Sequence, residues 1–528
     1  LLGPLSGSAR AEHVPGHPSV AQIKAAIANG VTWLVSQQSL DGSWPSYSGV
    51  QVGVTALACK KLEHHAVDPK WGLGLSSPFD PTYVYKENVE RCLEWLQTQK
   101  KTQEIGEQPA GNPDTDGDGN GAYYHNSVLY EDAIALMALC EAVETDGSTL
   151  RYEQDVVDLA DYLFWAQNEN DPAPPVWAAQ RQGGWGYGSN YSYSDNSVSG
   201  WASLALGFYE AAPPVGCGKT IPQWVKDELA IWLSNIQHTN GCKGYYHPDD
   251  WHNILKAGNA LQEFALIGVG PDDPRVQGAL SCMCTYWNDP SQDPGWRGWD
   301  GGTAGYQATF AAMKGFTSQG IHVVEACDLD WQADFETELL AEQNGDGSWP
   351  ITYWDFYTDR ILSTTWALLT LQKVAPVPEI PVPLDIKPQS CPNPIDCKDK
   401  GVVPAAILGT AHPAAGDVTN IDPASILLFV VDGGPTVAPL RWSLEDVATP
   451  FGVPPYSGKE ACEDCTTAGP DGFLDLTLKF DATAVVGLLG GEADKSCVVM
   501  KLTGKLKEEF GGTKIVGEDV VRFQCKSK

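Results

Sequence analysis

Basic residues are scarce in this chain of 528 residues: 34 Lys and Arg stand against 67 Asp and Glu, which gives a formal net charge of −33. A nucleic-acid-binding protein needs the opposite balance, so we expect no nucleic-acid partner. No apolar run approaches the roughly 18 residues that a membrane-spanning helix requires, so no transmembrane segment is predicted. The acidity indicates a highly soluble surface or the binding of divalent cations, and the two are compatible.

The beginning of the chain lacks a complete signal-peptide core, and residues 1–17 are treated as an N-terminal extension outside the fold. The 14 cysteines fit an oxidising compartment and predict an extracellular or cell-surface protein with disulfides. Cysteines that lie close together near the C-terminus suggest the pairs Cys391–Cys397, Cys462–Cys465 and Cys497–Cys525. Cys59, Cys92 and Cys140 lie on apolar helical faces, which is more typical of buried thiols than of bridges.

One turn occurs twice, as QQSLDGSWP at residues 37–45 and as QNGDGSWP at residues 343–350. Each copy lies between two helical patterns, and this unit recurs six times, beginning near residues 20, 84, 153, 222, 273 and 331. A single hairpin cannot bury its apolar face, so the six must pack together. The shared turn in the first and last units favours a closed ring. We therefore predict an (α/α)6 toroid over residues 18–375.

Two local details follow from this pattern. Ser19 is the predicted N-cap of the first helix. The DGSW turn is interpreted chiefly as a structural staple in which Gly permits a positive φ and Trp covers the helix ends, with ligand contact as the alternative.

The Q…DGSW pattern resembles the repeat of squalene and oxidosqualene cyclases and of protein prenyltransferase β subunits, over the helical part of the chain. The resemblance implies the toroid fold, but the chemistry of those enzymes needs either a D-x-D-D acid or a zinc ion held by Asp, Cys and His. Asp249–Asp250 and Asp272–Asp273 lack the leading Asp, and the zinc set is only partly matched by Glu325–Cys327. Zinc and terpenoid chemistry are therefore not expected.

A second resemblance concerns GCGKT at residues 216–220, which is similar to the G-C-G-E-Q thioester motif of complement-like proteins. Lys219 and Thr220 replace the Glu and Gln, so the thioester cannot form as it does in that family. A Cys217–Cys242 disulfide is the better interpretation.

The second helix of several hairpins begins with a stretch rich in Tyr, His and Asp. If these helices form the inner ring, the stretches line one mouth of it. The candidate catalytic residues are Asp195, His125, His247, Asp249 and Asp359, and the candidate ligand-binding residues are Tyr124, Tyr193, Tyr246, Trp299 and Tyr357. Carboxylates among aromatic rings suit a carbohydrate, whereas Asp and Asn at these positions are also typical of helix N-caps.

An insertion in the second hairpin reads PDTDGDGNG at residues 113–121. Asp114, Asp116, Asp118 and Asn120 alternate on a Gly-bent loop and offer the oxygen ligands that Ca²⁺ prefers. Glu131 is a further candidate ligand. The pattern is not a complete EF-hand loop, because position twelve is His125. A structural calcium site is predicted, with a solvated acidic turn as the alternative.

Residues 376–388 are a Pro-rich linker, and the pattern of residues 389–528 predicts an antiparallel β-sandwich of seven or eight strands. This part resembles a β-sandwich module appended to many bacterial and archaeal extracellular proteins, whose relatives often carry a calcium loop. In the interrupted counterpart here, Asp464, Asp471 and Asp475 are candidate metal ligands. The alternative is a hairpin without an ion, held by Cys462–Cys465.

Two functions remain open from the sequence. The first is a secreted or cell-surface, non-catalytic protein, stabilised by calcium, that binds an extracellular polymer or protein partner or self-assembles. The second is a toroid enzyme that acts on carbohydrate as a glycosidase or lyase or, less in keeping with the motifs, a divergent terpenoid cyclase or prenyltransferase. A central hole that is filled by side chains favours the first, and an open pocket with two carboxylates favours the second.

Overall fold

The computed structural model describes the whole chain except residues 1–16, 47–48, 127, 170–180, 212, 272, 289–304, 352–358, 377–379, 411–416, 431–434, 453–458, 460, 491–492, 508–513 and 526–528. Contacts within the chain divide it into two units, Leu1–Pro376 and Val377–Lys528. Helices dominate the first unit and strands the second, so the protein is a mixed helical and sheet molecule.

Twelve α-helices lie in the described part of the first unit. They are α1 (Val20–Ser36), α2 (Gln51–Val67), α3 (Lys86–Gln99), α4 (Tyr130–Glu141), α5 (Glu153–Ala166), α6 (Asn196–Glu210), α7 (Gln223–Ile236), α8 (Ile254–Leu266), α9 (Pro274–Tyr286), α10 (Tyr306–Ser318), α11 (Trp331–Glu342) and α12 (Arg360–Leu371). The odd-numbered helices begin within about two residues of the six predicted starts. The predicted N-cap is confirmed, because Ser19 and Gln22 exchange hydrogen bonds in a capping box.

The even-numbered helices follow one another in space. Each contacts the next from α2 to α12, and α12 in turn contacts α2. Helix α1 contacts both α11 and α12. The even-numbered helices are buried on all sides almost throughout their length, whereas the odd-numbered helices keep an exposed face. The succession of neighbours therefore returns to the helix where it started.

A glutamine side chain ties each of four turns to the hairpin that follows. Its amide nitrogen donates one hydrogen bond to a glycine carbonyl of its own turn and one to a backbone carbonyl of the next odd-numbered helix. The acceptors, at 2.8–3.1 Å, are Gly42 and Asn88 for Gln38, Gly183 and Val225 for Gln167, Gly241 and Arg275 for Gln237, and Gly347 and Ala26 for Gln343. Because Gln343 reaches α1, the last hairpin is bonded to the first.

The tryptophan of the turn is a structural staple, which confirms the prediction. Three fully buried indoles each donate a hydrogen bond of 2.8 Å to a carbonyl in the last turns of the preceding helix; the pairs are Trp44 with Leu34, Trp185 with Leu163 and Trp349 with Leu339. Each bond anchors the indole on the last turns of the helix, where carbonyls have fewer partners within the helix. In the fourth hairpin, Lys243 takes this place, and its Nζ lies 2.7 Å from the carbonyl of Leu233.

The glycine before each staple cannot carry a side chain. Gly42 and Gly347 adopt φ values of 95° and 94°, in the region that favours glycine. A Cβ atom at Gly42 would lie 2.2 Å from the carbonyl oxygen of Arg91, and one at Gly347 would lie 2.5 Å from that of Asn29. The turn therefore packs directly against the backbone of the neighbouring hairpin.

A two-stranded antiparallel ribbon, β1 (Lys101–Glu104) and β2 (Asn120–Tyr123), flanks the acidic insertion of the second hairpin. The second unit contains β3 (Ile380–Pro381), β4 (Leu384–Ile386), β5 (Asn393–Asp396), β6 (Val402–Ile407), β7 (Ile421–Phe429), β8 (Arg441–Glu445), β9 (Asp475–Asp481), α13 (Ala482–Leu488), β10 (Cys497–Leu506) and β11 (Lys514–Gln524).

These strands form two sheets. One has the order β3–β11–β10–β7 with β5 also paired to β11, and the other has the order β4–β6–β9–β8. A single apolar core takes side chains from both sheets. The expectation of purely antiparallel pairing is wrong, because β3 and β5 run parallel to β11. Both strands are short and contain proline, so their sequences carry little strand pattern.

All 14 cysteines are paired in seven disulfides, which are Cys59–Cys92, Cys140–Cys217, Cys242–Cys282, Cys284–Cys327, Cys391–Cys465, Cys397–Cys525 and Cys462–Cys497. The expected pairs Cys217–Cys242, Cys391–Cys397, Cys462–Cys465 and Cys497–Cys525 are therefore wrong, and so is the expectation of free thiols at Cys59, Cys92 and Cys140. Apolar burial suits a thiol and a disulfide alike, and closeness in sequence does not set the Cα geometry that a disulfide needs.

None of the described helices combines the length and the apolar character that crossing a membrane would require.

Candidate functional site

The acidic loop between β1 and β2 folds around its own carboxylates. The Asp114 carboxylate accepts hydrogen bonds from the backbone nitrogens of Gly117 and Gly119, at 2.8 and 3.0 Å. Asp116 accepts from the nitrogen of Asp118 at 3.2 Å. Gly117 and Gly119 both have positive φ values, which lets the chain turn this tightly. The three predicted Asp side chains are thus held on one short, strongly bent loop.

Helix α5 adds two carboxylates that the sequence analysis missed. Asp158 and Asp161 are three residues apart, so they share one helical face. The structure places acidic oxygens within 4.8 Å of one another in two groups, Asp114–Asp116–Asp161 and Asp116–Asp118–Asp158. Asp116 belongs to both groups. The spacing of the two acids on a helix that otherwise buries apolar residues was the available signal.

Asn120 and Glu131, the two other predicted ligands, make different contacts from the three Asp residues. The side-chain amide of Asn120 donates to the carbonyl of Asp118 at 3.1 Å. Glu131 is buried on α4 and accepts a hydrogen bond of 3.1 Å from the nitrogen of Gly53 on α2. The suggestion that Glu131 closes the shell is therefore wrong, because its carboxylate serves packing between two even-numbered helices.

Repulsion and burial make it unfavourable for all the carboxylates of the loop and α5 to be ionised at once. Burial, together with the nearby Asp116 and Asp114, raises the pKa of Asp161 to about 7, despite hydrogen bonds from Thr115 that lower it. Gln154 bridges Asp116 and Asp158, donating to each carboxylate at 2.6 Å. A bound cation would relieve the same repulsion and favour the charged form of every ligand.

A second feature is a group of ring side chains between the third and fourth hairpins, which we call the aromatic surface; it consists of Tyr187, Tyr191, Tyr193, Tyr245, Tyr246 and Trp251. Neighbouring ring centroids lie 4.4–5.4 Å apart along the series from Tyr191 through Tyr193, Tyr246 and Tyr245 to Trp251. Tyr191, Tyr246 and Trp251 are 36%, 40% and 56% exposed. The structure therefore joins two of the predicted ligand-binding residues, Tyr193 and Tyr246, in one accessible patch.

Polar groups lie beneath this surface. Asp195 is buried, caps α6 and accepts hydrogen bonds from the nitrogen of Val198 at 2.8 Å and from the Ser197 hydroxyl at 2.6 Å. Burial raises the pKa of Asp195 to about 6. The hydroxyls of Tyr187 and Tyr245 are 2.9 Å apart. Asp195 is therefore both the predicted N-cap and a neighbour of the aromatic rings.

The other candidate mouth residues are engaged elsewhere. Tyr124 is fully buried, and His125 contacts the Asp132 carboxylate, which also accepts from both backbone nitrogens. Asp359 is buried and caps α12.

His247 and Asp249 lie at the surface, 3.5 Å apart. Trp299 and Tyr357 lie outside the described residues. Asp195, Tyr193 and Tyr246 are the members of the predicted set that lie at the aromatic surface in the described part of the chain.

Side chains fill the space between α6 and α10. Trp201 on α6 stacks on Phe310 of α10 at a centroid distance of 5.7 Å. Lys314 Nζ lies 5.5 Å from the Trp201 ring and 2.8 Å from the carbonyl oxygen of Gly200. All four residues are buried or nearly so. The described interior between α6 and α10 is therefore packed.

The predicted metal ligands of the second unit do not assemble. The buried Asp475 accepts hydrogen bonds of 2.7–3.1 Å from the backbone nitrogens of Gly409, Val447 and Ala448. Asp471 and Asp464 lie in the loops before β9, and the described part of the chain has no group of three ligands there that is close enough to share an ion. Asp475 instead anchors two loops to β9.

Comparison with known proteins leaves the family open. No family model and no curated protein matches the chain. Among solved structures, it is similar to the type II terpene cyclase MstE from Scytonema, with 15% identity, a TM-score of 0.40 and coverage of 67% of this chain and 98% of that one. A variant of that cyclase in complex with geranylgeranyl dihydroxybenzoate gives 14% identity, a TM-score of 0.41 and coverage of 67% and 97%.

Salmonella alpha-2-macroglobulin reacted with methylamine matches with 10% identity and a TM-score of 0.34, over 94% of this chain and 31% of that one. Likeness at these scores decides nothing about the fold or activity of this chain.

Proposed function

We propose that the helical unit is a closed (α/α)6 toroid with a filled centre and that the protein is a secreted, non-catalytic binding protein. The toroid is supported by the return of helix contacts from α12 to α2. It is also supported by the hydrogen bond of 2.8 Å from Gln343 to the carbonyl of Ala26. In the second unit, the single apolar core shared by two sheets supports a β-sandwich.

The observation that carries the non-catalytic assignment is the burial of the even-numbered helices. A toroid enzyme binds its substrate in the central cavity, so residues of the inner helices that line this cavity have to be accessible. Along α2, α4 and α12, every residue after the first is buried. An interior packed in this way leaves the surface as the place where a partner binds.

The seven disulfides are consistent with an extracellular protein. A net charge of −33 suits a secreted protein that stays soluble.

The partner we propose is a polysaccharide, held on the aromatic surface. Exposed, roughly planar rings cover the apolar faces of sugar units, and the adjoining hydroxyls bond to sugar hydroxyls. Tyr191, Tyr246 and Trp251 offer such rings. Lys256 Nζ lies 4.4 Å from the Trp251 ring, which fixes the orientation of that ring from below.

Retention of the protein on insoluble cellulose and chitin, and in gels containing soluble β-glucan, tests this proposal. We expect Trp251→Ala and Tyr246→Ala to lose at least about fivefold in affinity, since each removes a stacking ring worth more than about 1 kcal/mol. Trp442→Ala is the matched control, because Trp442 is 49% exposed but lies in the second unit. Equal loss in all three variants, or no retention of the wild type on any polymer, would contradict a polysaccharide-binding surface.

Calcium is proposed to stabilise the acidic loop. The five carboxylates from the loop and α5 supply hard oxygen ligands, and Asp116 is placed to be shared between the two groups. Neutralising these charges would fix the long insertion against α5. The ion has a structural role in this proposal, because the loop contains no group suited to catalysis beyond the carboxylates.

Thermal unfolding in Ca²⁺, in Mg²⁺ and in chelator tests the site. At a Ca²⁺ concentration of about 100 times Kd, binding adds about 2.7 kcal/mol to the free energy of unfolding. Asp158→Asn should abolish most of this gain, while Asp155→Asn, on the same helix but outside both groups, should keep it. A melting temperature that does not respond to chelator would refute the calcium site.

An enzyme acting on carbohydrate is the second candidate, favoured by Asp195. This carboxyl lies beneath the aromatic surface, and burial raises its pKa to about 6, a value suited to proton transfer. Release of reducing ends from the polymer that binds, abolished by Asp195→Ala but not by Trp442→Ala, would replace the non-catalytic assignment.

A further inference from the structure

Four polar side chains are buried in the second unit, although its core is otherwise apolar. Asp385 lies on β4, Asn393 on β5, Asp519 on β11, and Lys459 in the segment between β8 and β9. All four are less than a tenth exposed. They lie where strands of both sheets meet, since β4 belongs to one sheet and β11 to the other.

The amine and one carboxyl of this cluster are in direct contact. Lys459 Nζ lies 3.0 Å from Asp519 Oδ1 and 3.0 Å from the carbonyl oxygen of Leu384. The other carboxyl oxygen, Asp519 Oδ2, accepts hydrogen bonds from the backbone nitrogen of Ile386 at 2.6 Å and from Asn393 Nδ2 at 2.9 Å. The amine thus meets one oxygen while two donors polarise the other, which is the arrangement that stabilises a developing oxyanion.

The second acid, Asp385, stands beside this pair. It lies between Leu384 and Ile386, whose backbone groups contact Lys459 and Asp519. Its Oδ2 has no hydrogen-bond partner among the described residues. Burial, then Asp519, raises the pKa of Asp385 to about 7, against the lowering effect of Lys459. One buried cation cannot balance two carboxylates, so Asp385 holds a proton near neutral pH.

We propose that Lys459 and Asp519 become joined by an intramolecular amide bond, formed without any other protein once the second unit has folded, with Asp385 as the proton carrier. Lysine is the nucleophile and the aspartyl carbon is the electrophile. The product is a covalent link between the segment before β9 and the centre of β11.

The reaction balances without an oxidant or a co-reactant. A proton passes from the Lys459 ammonium to the Asp519 carboxylate, which leaves an amine and a carboxylic acid. Nζ then forms a bond to Cγ, and the carbonyl electron pair moves to Oδ2, where Ile386 and Asn393 donate. Protonated Asp385 gives its proton to Oδ1 and then takes one from the nitrogen, so it ends as it began. The Cγ–Oδ1 bond breaks, one water molecule leaves, and a neutral amide remains.

Burial favours this product over the ion pair. Keeping an ammonium and a carboxylate inside the protein is opposed by their desolvation, whereas the amide carries no charge. Fixing the two groups in contact supplies an effective concentration on the order of 10⁵–10⁸ M. Both terms are absent in the unfolded chain, so the bond is expected only after folding.

The mass of the full chain decides between an amide and an ordinary ion pair. After complete reduction and denaturation, we expect the wild type to be lighter than its sequence by one water molecule. Peptide mapping should then yield a branched peptide that links the segment containing Lys459 to the segment containing Asp519. Lys387→Arg is the control, because Lys387 pairs with Asp399 at the surface, and this variant should keep the mass deficit.

Two variants test the assigned roles. Lys459→Arg keeps the charge but lacks the nucleophile, so it should show the full mass. Asp385→Asn keeps the shape but cannot carry the proton, so in its folded fraction it should also show the full mass with Lys459 and Asp519 in separate peptides.

Full mass in the folded wild type would overturn the proposal, whether or not the variants fold. A deficit of one ammonia would also overturn it, because that would place the bond at Asn393. A branched peptide in folded Asp385→Asn would refute the role of Asp385.

Discussion

Glu263 is a fully buried acid inside the helical unit, and neither of its carboxyl oxygens has a hydrogen-bond partner among the described residues. Burial raises its pKa to about 8, although Lys243 and Lys314 act to lower it. Burial in turn lowers the pKa of each of these lysines to about 7. The ammonium groups contact backbone carbonyls of Leu233 and Gly200 rather than the carboxyl. The three residues therefore carry less charge at neutral pH than their types suggest.

Glu263→Gln is the substitution that tests this protonation state. An acid whose pKa is higher in the folded state binds its proton more tightly there, so stability falls as the pH rises from the ordinary value of 4.5 to about 8. Glutamine removes that dependence, and the variant should gain on the wild type by up to about 1.4 kcal/mol per pH unit across this range. Urea unfolding at several pH values measures the difference.

The matched control is Glu325→Gln, since Glu325 is exposed and should show no such trend. A Glu263→Gln variant that loses several kcal/mol at pH 7 would instead mean that Glu263 is an anion paired with the lysines.

At the scale of single elements, the turn between the helices of a hairpin does more than reverse the chain. Its Trp satisfies a carbonyl of the helix before it, as Trp349 does for Leu339. Its Gln satisfies a carbonyl of the next hairpin, as Gln343 does for Ala26. The residues of the turn motif therefore make contacts on both sides of the turn. In the last hairpin these contacts connect α11 to α1.

Gln343→Glu removes the donor and keeps the shape. The carboxylate would face the carbonyls of Ala26 and Gly347, so we expect a loss of about 2–3 kcal/mol in the free energy of unfolding. Hydrogen exchange in α1 and α12 should accelerate more than exchange in α6. Gln99→Glu serves as the control, because among the described residues the Gln99 side chain bonds only to the neighbouring Thr98. Unchanged exchange in α1 would contradict the closing role of Gln343.

At the scale of the whole molecule, the disulfides link some neighbouring hairpins and leave others without a covalent link. In the first unit they connect consecutive hairpins: Cys59–Cys92 joins the first and second, and Cys140–Cys217 joins the second to the segment after the third. Cys242–Cys282 joins the fourth and fifth. All 14 cysteines are accounted for, and none of their bridges links the last hairpin to the first. The contact between them rests on packing, on the Gln343 amide and on further hydrogen bonds such as those from the Gln372 amide to the carbonyl of His64 at 3.0 Å and to the Asp68 carboxylate at 2.9 Å.

Removal of Cys140–Cys217 by a double Ser substitution tests how much these links contribute. The bridge spans 77 residues, and a loop of that size limits the unfolded chain enough to stabilise the folded state by about 4 kcal/mol. Thermal unfolding of the double variant should show the loss for the first unit, with the transition of the second unit unchanged. Equal melting temperatures for the variant and the wild type would show that this bridge adds nothing.

Part of the site could be read from the sequence and part could not. The alternating spacing of Asp114, Asp116 and Asp118 predicts them as metal ligands, because ligands from a single loop lie close together in the sequence. Asp158 and Asp161 come from a helix some 40 residues later, so only folding brings them to the loop. The same holds for Tyr193 and Tyr246, which come from different hairpins and meet at 4.8 Å.

The sequence by itself determined the six hairpin starts, the turn chemistry and the change from helices to strands, because periodicity and Gly, Trp and Asp preferences act within a few residues. Tertiary structure alone decided the disulfide partners, the parallel pairing of β3 and β5 with β11, and the burial of Lys459 against Asp519. Those outcomes depend on segments far apart in the chain, whose contacts are set by packing and desolvation rather than by local conformation.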